Sequence, residues 1–315
     1  MQYVTFHETP ELQNTLVIAA FTGWPDAGDV ASATVRHLIR KLGARKFAEI
    51  DPEPFYDFTQ TRPHTVTTQG TQRSLAWPTG EFYVAQATEE GGRDLVLFLA
   101  PEPQLLWKTY AATVFAVLER CQMTQLVTLG GTYDSVPHTG AVMVSGSASE
   151  PDLVQRLETI GVVASGYEGP TSIHSVFLTT CATRSIPATS LWGHAPHYVQ
   201  AVPNWKVTHA LLQRLARLFL IDVDLEELRA AGATLERRVE RALARDPELR
   251  EYVRELQEQH EVVAALPPEP LTTDDVMREL EEILRPSAVS DEDEEDEDDE
   301  YDEYDDEDED DDEVG

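Results

Sequence analysis

Cysteine is nearly missing from this 315-residue chain: Cys121 and Cys181 are the two it has, and no paired spacing links them. That excludes a disulfide-stapled secreted module and a cysteine-built metal site. Both thiols lie in apolar stretches that read as helices and are expected to be buried and reduced. Long apolar runs are missing as well. Leu16 to Phe21 and Leu95 to Ala100 are the longest, far short of the ~20 residues a membrane helix needs. The opening Met1-Gln-Tyr-Val-Thr-Phe has no basic stretch ahead of an apolar core, so no secretory signal is read. A cytoplasmic location and no membrane contact are the resulting expectations.

Basic charge is scarce: 24 Lys and Arg stand against 58 Asp and Glu, a formal net charge of -34. The excess is uneven. Asp291 to Glu313 holds 21 of the acids and no base, which leaves 37 acids against 24 bases, or -13, for the rest. Nucleic-acid binding is excluded on this ground, because neutralising phosphates needs a basic face. Arg40, Lys41, Arg45 and Lys46 are the one basic cluster, and they sit around an expected helix end, where cations complement the helix dipole.

Several motifs are absent too. No Gly-rich loop ends in Lys-Ser or Lys-Thr, and no Gly-x-Ser-x-Gly elbow occurs, which removes the common nucleotide hydrolases and ordinary serine hydrolases. Ser145-Gly-Ser-Ala-Ser149 is small and polar, with nothing in sequence beside it to mark a general base, and reads as a loop. His194 and His197 are three apart, but Pro196 between them forbids a regular helix and no third ligand follows at fixed spacing, so no metal is expected.

What is present is α/β punctuation. Leu16 to Phe21 reads as a strand buried on both faces. Asp26 to Leu42 switches to helical period, with Asp26 as N-cap and Gly43 as stop. The pattern repeats with a strand at Asp94 to Ala100, a helix at Leu106 to Gln122 and a strand at Gln125 to Gly130, with Gly130-Gly131 expected to break the chain. His64 to Gln69, Ser74 to Trp77 and Glu81 to Ala87 read as a β-meander at the sheet edge. A strand at Ala141 to Ser145, a helix from Pro151 to Ile160 capped by Ser149, a helix from Ser172 to Arg184, a strand at Ala188 to Trp192 and a helix capped by Asn204 complete a body ending near Leu220. Asp222 to Leu266 reads as a helical hairpin divided at Asp246-Pro247. A short helix from Thr272 to about Leu284 follows, and the acidic run beyond Pro286 has nothing apolar to bury and is expected to stay disordered. The resulting domains are 1–220, 221–285 and 286–315.

Gly23-Trp-Pro-Asp-Ala-Gly28 stands where a buried strand hands over to a helix, the edge of an open α/β sheet where ligands bind. It has two glycines rather than three, and its acidic residue competes with a phosphate for the helix donors, so a tight turn with a cap is the favoured reading. Loops following other strands converge on the same edge. The residues gathered there as a candidate pocket are Trp24, Asp26, Gly28, Gly131, Tyr133, Glu168, His197 and Tyr198, none assigned a catalytic role. Exposed tryptophans among Trp24, Trp77, Trp107, Trp192 and Trp205 would mark a protein interface.

Taken in order, Gly23 to Gly28, Asp51-Pro-Glu-Pro-Phe-Tyr-Asp57 with Thr61-Arg-Pro63, Gly130-Gly131, Tyr167-Glu-Gly-Pro170 and Pro196-His-Tyr198 resemble the proteasome-assembly-chaperone-2 family. The resemblance covers about Val4 to Leu220 and is strongest to bacterial, actinobacterial-type members with a C-terminal helical extension. It implies a three-layer α/β fold with a mixed sheet, related to nucleoside phosphorylases, self-association into a homo-oligomer, and a chaperone role in building the proteasome's α-subunit ring. The expected partner is therefore a protein, the proteasome or another ring assembly, with no cofactor. Eukaryotic and archaeal relatives often dock through a tail ending hydrophobic-Tyr-any residue; the sequence here ends Asp-Asp-Glu-Val-Gly, so docking of that kind is not expected. The competing readings are a small-molecule enzyme of phosphorylase or ATP-grasp ligase type, for which no Lys and carboxylate constellation is evident, and a metabolite-binding regulator.

Overall fold

The run from Leu16 to Phe21 becomes the middle of a sheet, and its apolar residues are buried on both sides. The computed structural model describes residues 2–68, 72–87 and 92–265. In chain order its first half holds β1 (Val4–Phe6), β2 (Thr15–Thr22), α1 (Val30–Lys41), β3 (Arg45–Ile50), β4 (His64–Thr68), β5 (Gln72–Ala76), β6 (Gly80–Ala85), β7 (Leu95–Pro101) and α2 (Trp107–Arg120). The second half holds β8 (Met123–Asp134), β9 (Val144–Ala148), α3 (Pro151–Thr159), β10 (Val163–Ala164), α4 (Ile173–Thr183), β11 (Ala188–Pro196), α5 (Trp205–Phe219), α6 (Glu226–Leu243) and α7 (Pro247–Ala265). The helix expected from Thr272 and the acidic run after Pro286 lie outside the described residues.

Among the described residues, nine strands form one mixed sheet in the order β1-β3-β6-β7-β2-β8-β11-β9-β10, and β4 and β5 pair separately. The four central strands β7, β2, β8 and β11 are parallel. Antiparallel partners flank them, β6 on one side and β9 on the other. Helices cover both faces, as central parallel strands require. On one face α2 and α4 pack an aromatic cluster in which Phe21 meets Phe98 and Phe177 edge-on. On the other, α1 and α5 press on Leu16, Ile18, Val127, Leu129 and Leu191. Helix α5 shows why: Val207, Leu211, Leu215 and Leu218 recur on one face and are buried, each such leucine contributing about 1.5–3 kcal/mol.

Several boundaries differ from those read in the sequence. Gly130-Gly131 does not break the chain; β8 runs on to Asp134. The glycines are there because neighbours come too close for a side chain. A Cβ on Gly130 would lie 2.6 Å from the Trp192 ring, and one on Gly131 would lie 2.5 Å from Val30 and 2.7 Å from the Ala27 carbonyl. Ser149 does not cap α3, whose N-cap is Glu150; the Ser149 hydroxyl instead accepts from the Ala188 amide. The strand expected at Ala141 to Ser145 begins at Val144. The meander is divided: β6 joins the large sheet while β4 and β5 form their own ribbon. Strands β1, β3 and β10 were not foreseen, and Arg45 and Lys46 belong to β3 rather than to a helix end.

At the chain's far end, Asp246-Pro247 does start a new helix, with the Asp246 carboxylate accepting from the Leu249 amide at 3.0 Å. Helix α6 packs on α5, where the absent side chain of Gly232 lets the helix approach the Lys206 backbone. No helix among the described residues is long and apolar enough to cross a membrane. Both cysteines are buried and free, and burial raises their thiol pKa values to about 11 at Cys121 and about 12 at Cys181.

Candidate functional site

The carboxyl ends of β7, β2, β8 and β11 share one edge, and the chain leaves β2 for α1 on one face and β7 for α2 on the other. Neighbouring strands whose connections diverge in this way open a crevice between them. The turn after β2 is built for it. Gly23 and Gly28 take φ of +104° and +64°, which favour glycine, and the Gly28 carbonyl accepts from the Asn204 amide at 2.8 Å. Residues 27–29 make a single 3-10 turn, so α1 starts at Val30 rather than directly after Asp26. The Asp26 carboxylate still serves the helix, accepting from the Ala31 amide at 2.7 Å and the Ser32 amide at 3.3 Å. Burial nonetheless pushes its pKa up to about 6.

Beside this turn lies a cleft of about 500 Å³ over the face of β8, β11 and β9, walled by α4 and by the loop from Ser165 to Ser172. Its floor is polar because register pairs set polar residues side by side. Ser190 stands opposite Thr128 and Ser147, and Trp192 opposite Gly130 and Ser145. The Ser190 hydroxyl takes hydrogen bonds from Thr128 and from the Trp192 indole N–H. One step further along the strand, His194 lies between Asp134 and Ser145: its Nδ1 is 2.8 Å from Asp134 Oδ2 and its Nε2 is 2.8 Å from Ser145 Oγ. The His194 side chain is 12% exposed and that of Asp134 is 39% exposed. The carboxylate can only accept at Nδ1, so Nδ1 carries a proton, and in the neutral ring Nε2 accepts from the serine hydroxyl.

Under the cleft, His174 on α4 is buried between Phe21 and Trp192. Neither ring nitrogen has a partner among the described residues. Burial lowers its pKa to about 3, so the ring is neutral and offers one donor and one acceptor. The cleft lining contains no Lys or Arg. Its rim is aromatic: Trp24, Tyr133 and Tyr167 are 64%, 42% and 67% exposed.

The residues singled out in the sequence therefore separate. Trp24 and Tyr133 line the cleft. Asp26, Gly28 and Gly131 form the buried turn beside it, where the Gly131 amide donates to the Pro25 carbonyl. Glu168 is exposed in the wall loop, outside the lining. His197 and Tyr198 serve another junction: His197 meets the Tyr252 hydroxyl at 3.2 Å, and the Tyr198 hydroxyl lies 2.8 Å from His138, whose other nitrogen is 3.0 Å from Glu240. These contacts tie α6 and α7 to the loops after β8 and β11. Asp134, Ser145, His174 and His194 were not joined into one constellation from the sequence, since spacings of 49 and 60 residues carry no periodic signal. The usable clue was the alternation Ser190, Trp192, His194, which continues past Trp192, where the strand was read to end. Among the described residues no cluster of three His, Cys, Asp or Glu is placed to hold a metal ion.

Comparison with known proteins agrees with this architecture. The family model described as the PAC2 family matches residues 20–243. A PAC2 family protein from Streptomyces avermitilis shares 38% identity over 76% of this chain and 99% of its own, with a TM-score of 0.69. A proteasome-assembly chaperone homologue from Mycobacterium tuberculosis shares 37% identity over the same fractions, with a TM-score of 0.68. An archaeal proteasome activator from Pyrococcus furiosus, at 18% identity, 76% and 97% coverage and a TM-score of 0.61, shares the fold. No curated protein matches the sequence.

Proposed function

The chain belongs to the PAC2 family, and from that premise we propose that it is a protein-binding assembly factor whose partner is a proteasome or another ring-forming particle. The observation that carries this reading is the 37% identity to the Mycobacterium tuberculosis proteasome-assembly chaperone homologue over 99% of that chain. The exposed rim of Trp24, Tyr133 and Tyr167 supports it, because rigid aromatic side chains supply much of the binding energy at protein interfaces. In this reading the α/β body to about residue 220 carries the rim, α6 and α7 form a helical extension, and the boundaries expected at 285 and 286 lie outside the described residues. The protein acts in the cytoplasm as a homo-oligomer.

A phosphorylase or ATP-dependent ligase would have to hold phosphate, and the absence of Lys and Arg from the cleft lining weighs against that reading. The test is purification from the native cytoplasm through an N-terminal tag, followed by mass spectrometry. Ring-particle subunits should co-purify, and Trp24→Ala should reduce their recovery at least tenfold without lowering the melting temperature. A homo-oligomer that carries a bound nucleotide or nucleoside and no other protein would overturn the reading.

A further inference from the structure

The contacts of Asp134, His194 and Ser145 reproduce the connectivity of a carboxylate, a base and a nucleophile. We propose that the cleft carries a serine-dependent acyl-transfer activity, the hydrolysis of an uncharged ester, with Ser145 as nucleophile, His194 as general base and Asp134 as the residue that positions His194. This inference does not rest on the assembly reading; it is drawn from the cleft alone.

Four observations carry it. Both links measure 2.8 Å, within hydrogen-bond reach of a proton transfer. The three residues sit on adjacent strands, Asp134 on β8, His194 on β11 and Ser145 on β9, so sheet register rather than loop conformation holds them. Ser145, His194 and Asp134 all line the cleft of about 500 Å³, which leaves the hydroxyl approachable. The neutral His174 ring, 2% exposed, lines the same cleft with both nitrogens unpartnered among the described residues. A buried imidazole without partners is costly unless something in the cleft bonds it, and a bound ester offers that partner.

The walls also define the substrate. With Asp134 in the lining and no Lys or Arg, an anionic substrate is disfavoured. Trp24, Tyr133, Tyr167 and Trp192 present flat apolar surfaces beside the hydroxyls of Ser147, Ser165 and Ser190. A neutral ester with an aromatic or otherwise flat group fits such walls.

In the acylation step the Ser145 oxygen bonds to the ester carbonyl carbon while its proton passes to Nε2 of His194. The tetrahedral adduct collapses, the bond from carbon to the alcohol oxygen breaks, and the imidazolium returns the proton to the departing alkoxide. Water then attacks the acyl-serine with His194 again accepting the proton, releasing the acid and restoring Ser145. The order along the chain is Asp, Ser, His, and Ser145 lies within a strand rather than on a Gly-x-Ser-x-Gly elbow, so sequence motifs give no sign of it.

The experiment is covalent labelling of the full chain with a fluorophosphonate probe, in which the serine oxygen displaces fluoride at phosphorus, with the adduct located by peptide mass spectrometry. One adduct on Ser145 is expected. Ser145→Ala should abolish it, and His194→Gln should slow it at least a hundredfold. Asp134→Asn should slow labelling while Asp134→Glu restores part of the rate, a rescue that a purely structural carboxylate would not give. Circular dichroism and melting temperature establish that each variant is folded. A folded wild-type protein that is not labelled, an adduct on any serine other than Ser145, or unchanged labelling of Ser145→Ala would each overturn the proposal.

Discussion

Strand β11 has two unlike faces. Leu191, Gly193 and Ala195 point into a closed layer under α1 and α5, where Gly193 leaves room for Val207. Ser190, Trp192 and His194 point the other way, into the open cleft. One face is covered by helices and apolar except for Thr189; the other is open, hydroxyl-rich and only partly covered by α4. The same nine residues thus hold the sheet together with one side and arrange polar groups with the other. Because strand side chains alternate, each face can be altered without touching its opposite.

The most direct attempt to break that division is Leu191→Ala on the closed face. Leu191 is fully buried, so its truncation removes transfer free energy and leaves a cavity, costing about 2–5 kcal/mol. Chemical denaturation should show the whole body losing stability. A cost below ~1 kcal/mol would mean that the closed layer is not where the fold is held.

Asp26 brings an ionisable group to the closed side, and pH should expose it. Its carboxyl pKa is about 6 in the folded protein against 3.8 for an ordinary aspartate, raised chiefly by burial. Between those values the folded state holds the proton more tightly than the unfolded state does, so stability falls as pH rises from about 4 to about 6. The decline should total on the order of 2–3 kcal/mol and then level off. Asp26→Asn keeps an acceptor for the Ala31 amide and should flatten this part of the profile. Parallel profiles for wild type and variant would show that the carboxyl is not the group responsible.

A smaller effect of opposite sign belongs to Thr189, whose buried hydroxyl has no partner among the described residues. It stands opposite Val127, a residue of the closed layer. Thr189→Val keeps the shape and removes the unsatisfied group, so it should stabilise the protein by about 1 kcal/mol. A loss of stability would place a hydrogen-bond partner on that hydroxyl.

The contrast between the faces also explains what the sequence made legible. The closed layer could be read: the apolar run of β2, the helical spacing of Val207, Leu211, Leu215 and Leu218, and the cap Asn204 are local signals. The edge was less legible. β1 and β10 are three and two residues long, and β3 opens with Arg45 and Lys46, whose charges find Glu8, Glu49 and Glu81 only once the sheet has formed. Gly130 and Gly131 looked like a break because their neighbours Trp192, Val30 and Ala27 come from distant parts of the chain. The cleft was least legible. Ser145 has no base beside it in sequence, and His194 had no assigned partner until register set it between Asp134 and Ser145.

The smallest expected change in stability is on the open face, and it bears most closely on the comparison. His194→Gln removes an imidazole that makes two hydrogen bonds of 2.8 Å, yet Asp134 is 39% exposed and both partners border the cleft. Water can take the place of a lost bond there, and the glutamine amide can reach one of the two partners. The net cost should be no more than about 1 kcal/mol, a melting-temperature shift of roughly 2–4 °C. Leu191, three positions earlier on the same strand, should cost several times as much when truncated. If His194→Gln were as damaging as Leu191→Ala, the polar face would be holding the fold together. A small loss would instead leave the Asp134–His194–Ser145 link as an arrangement that folding does not require.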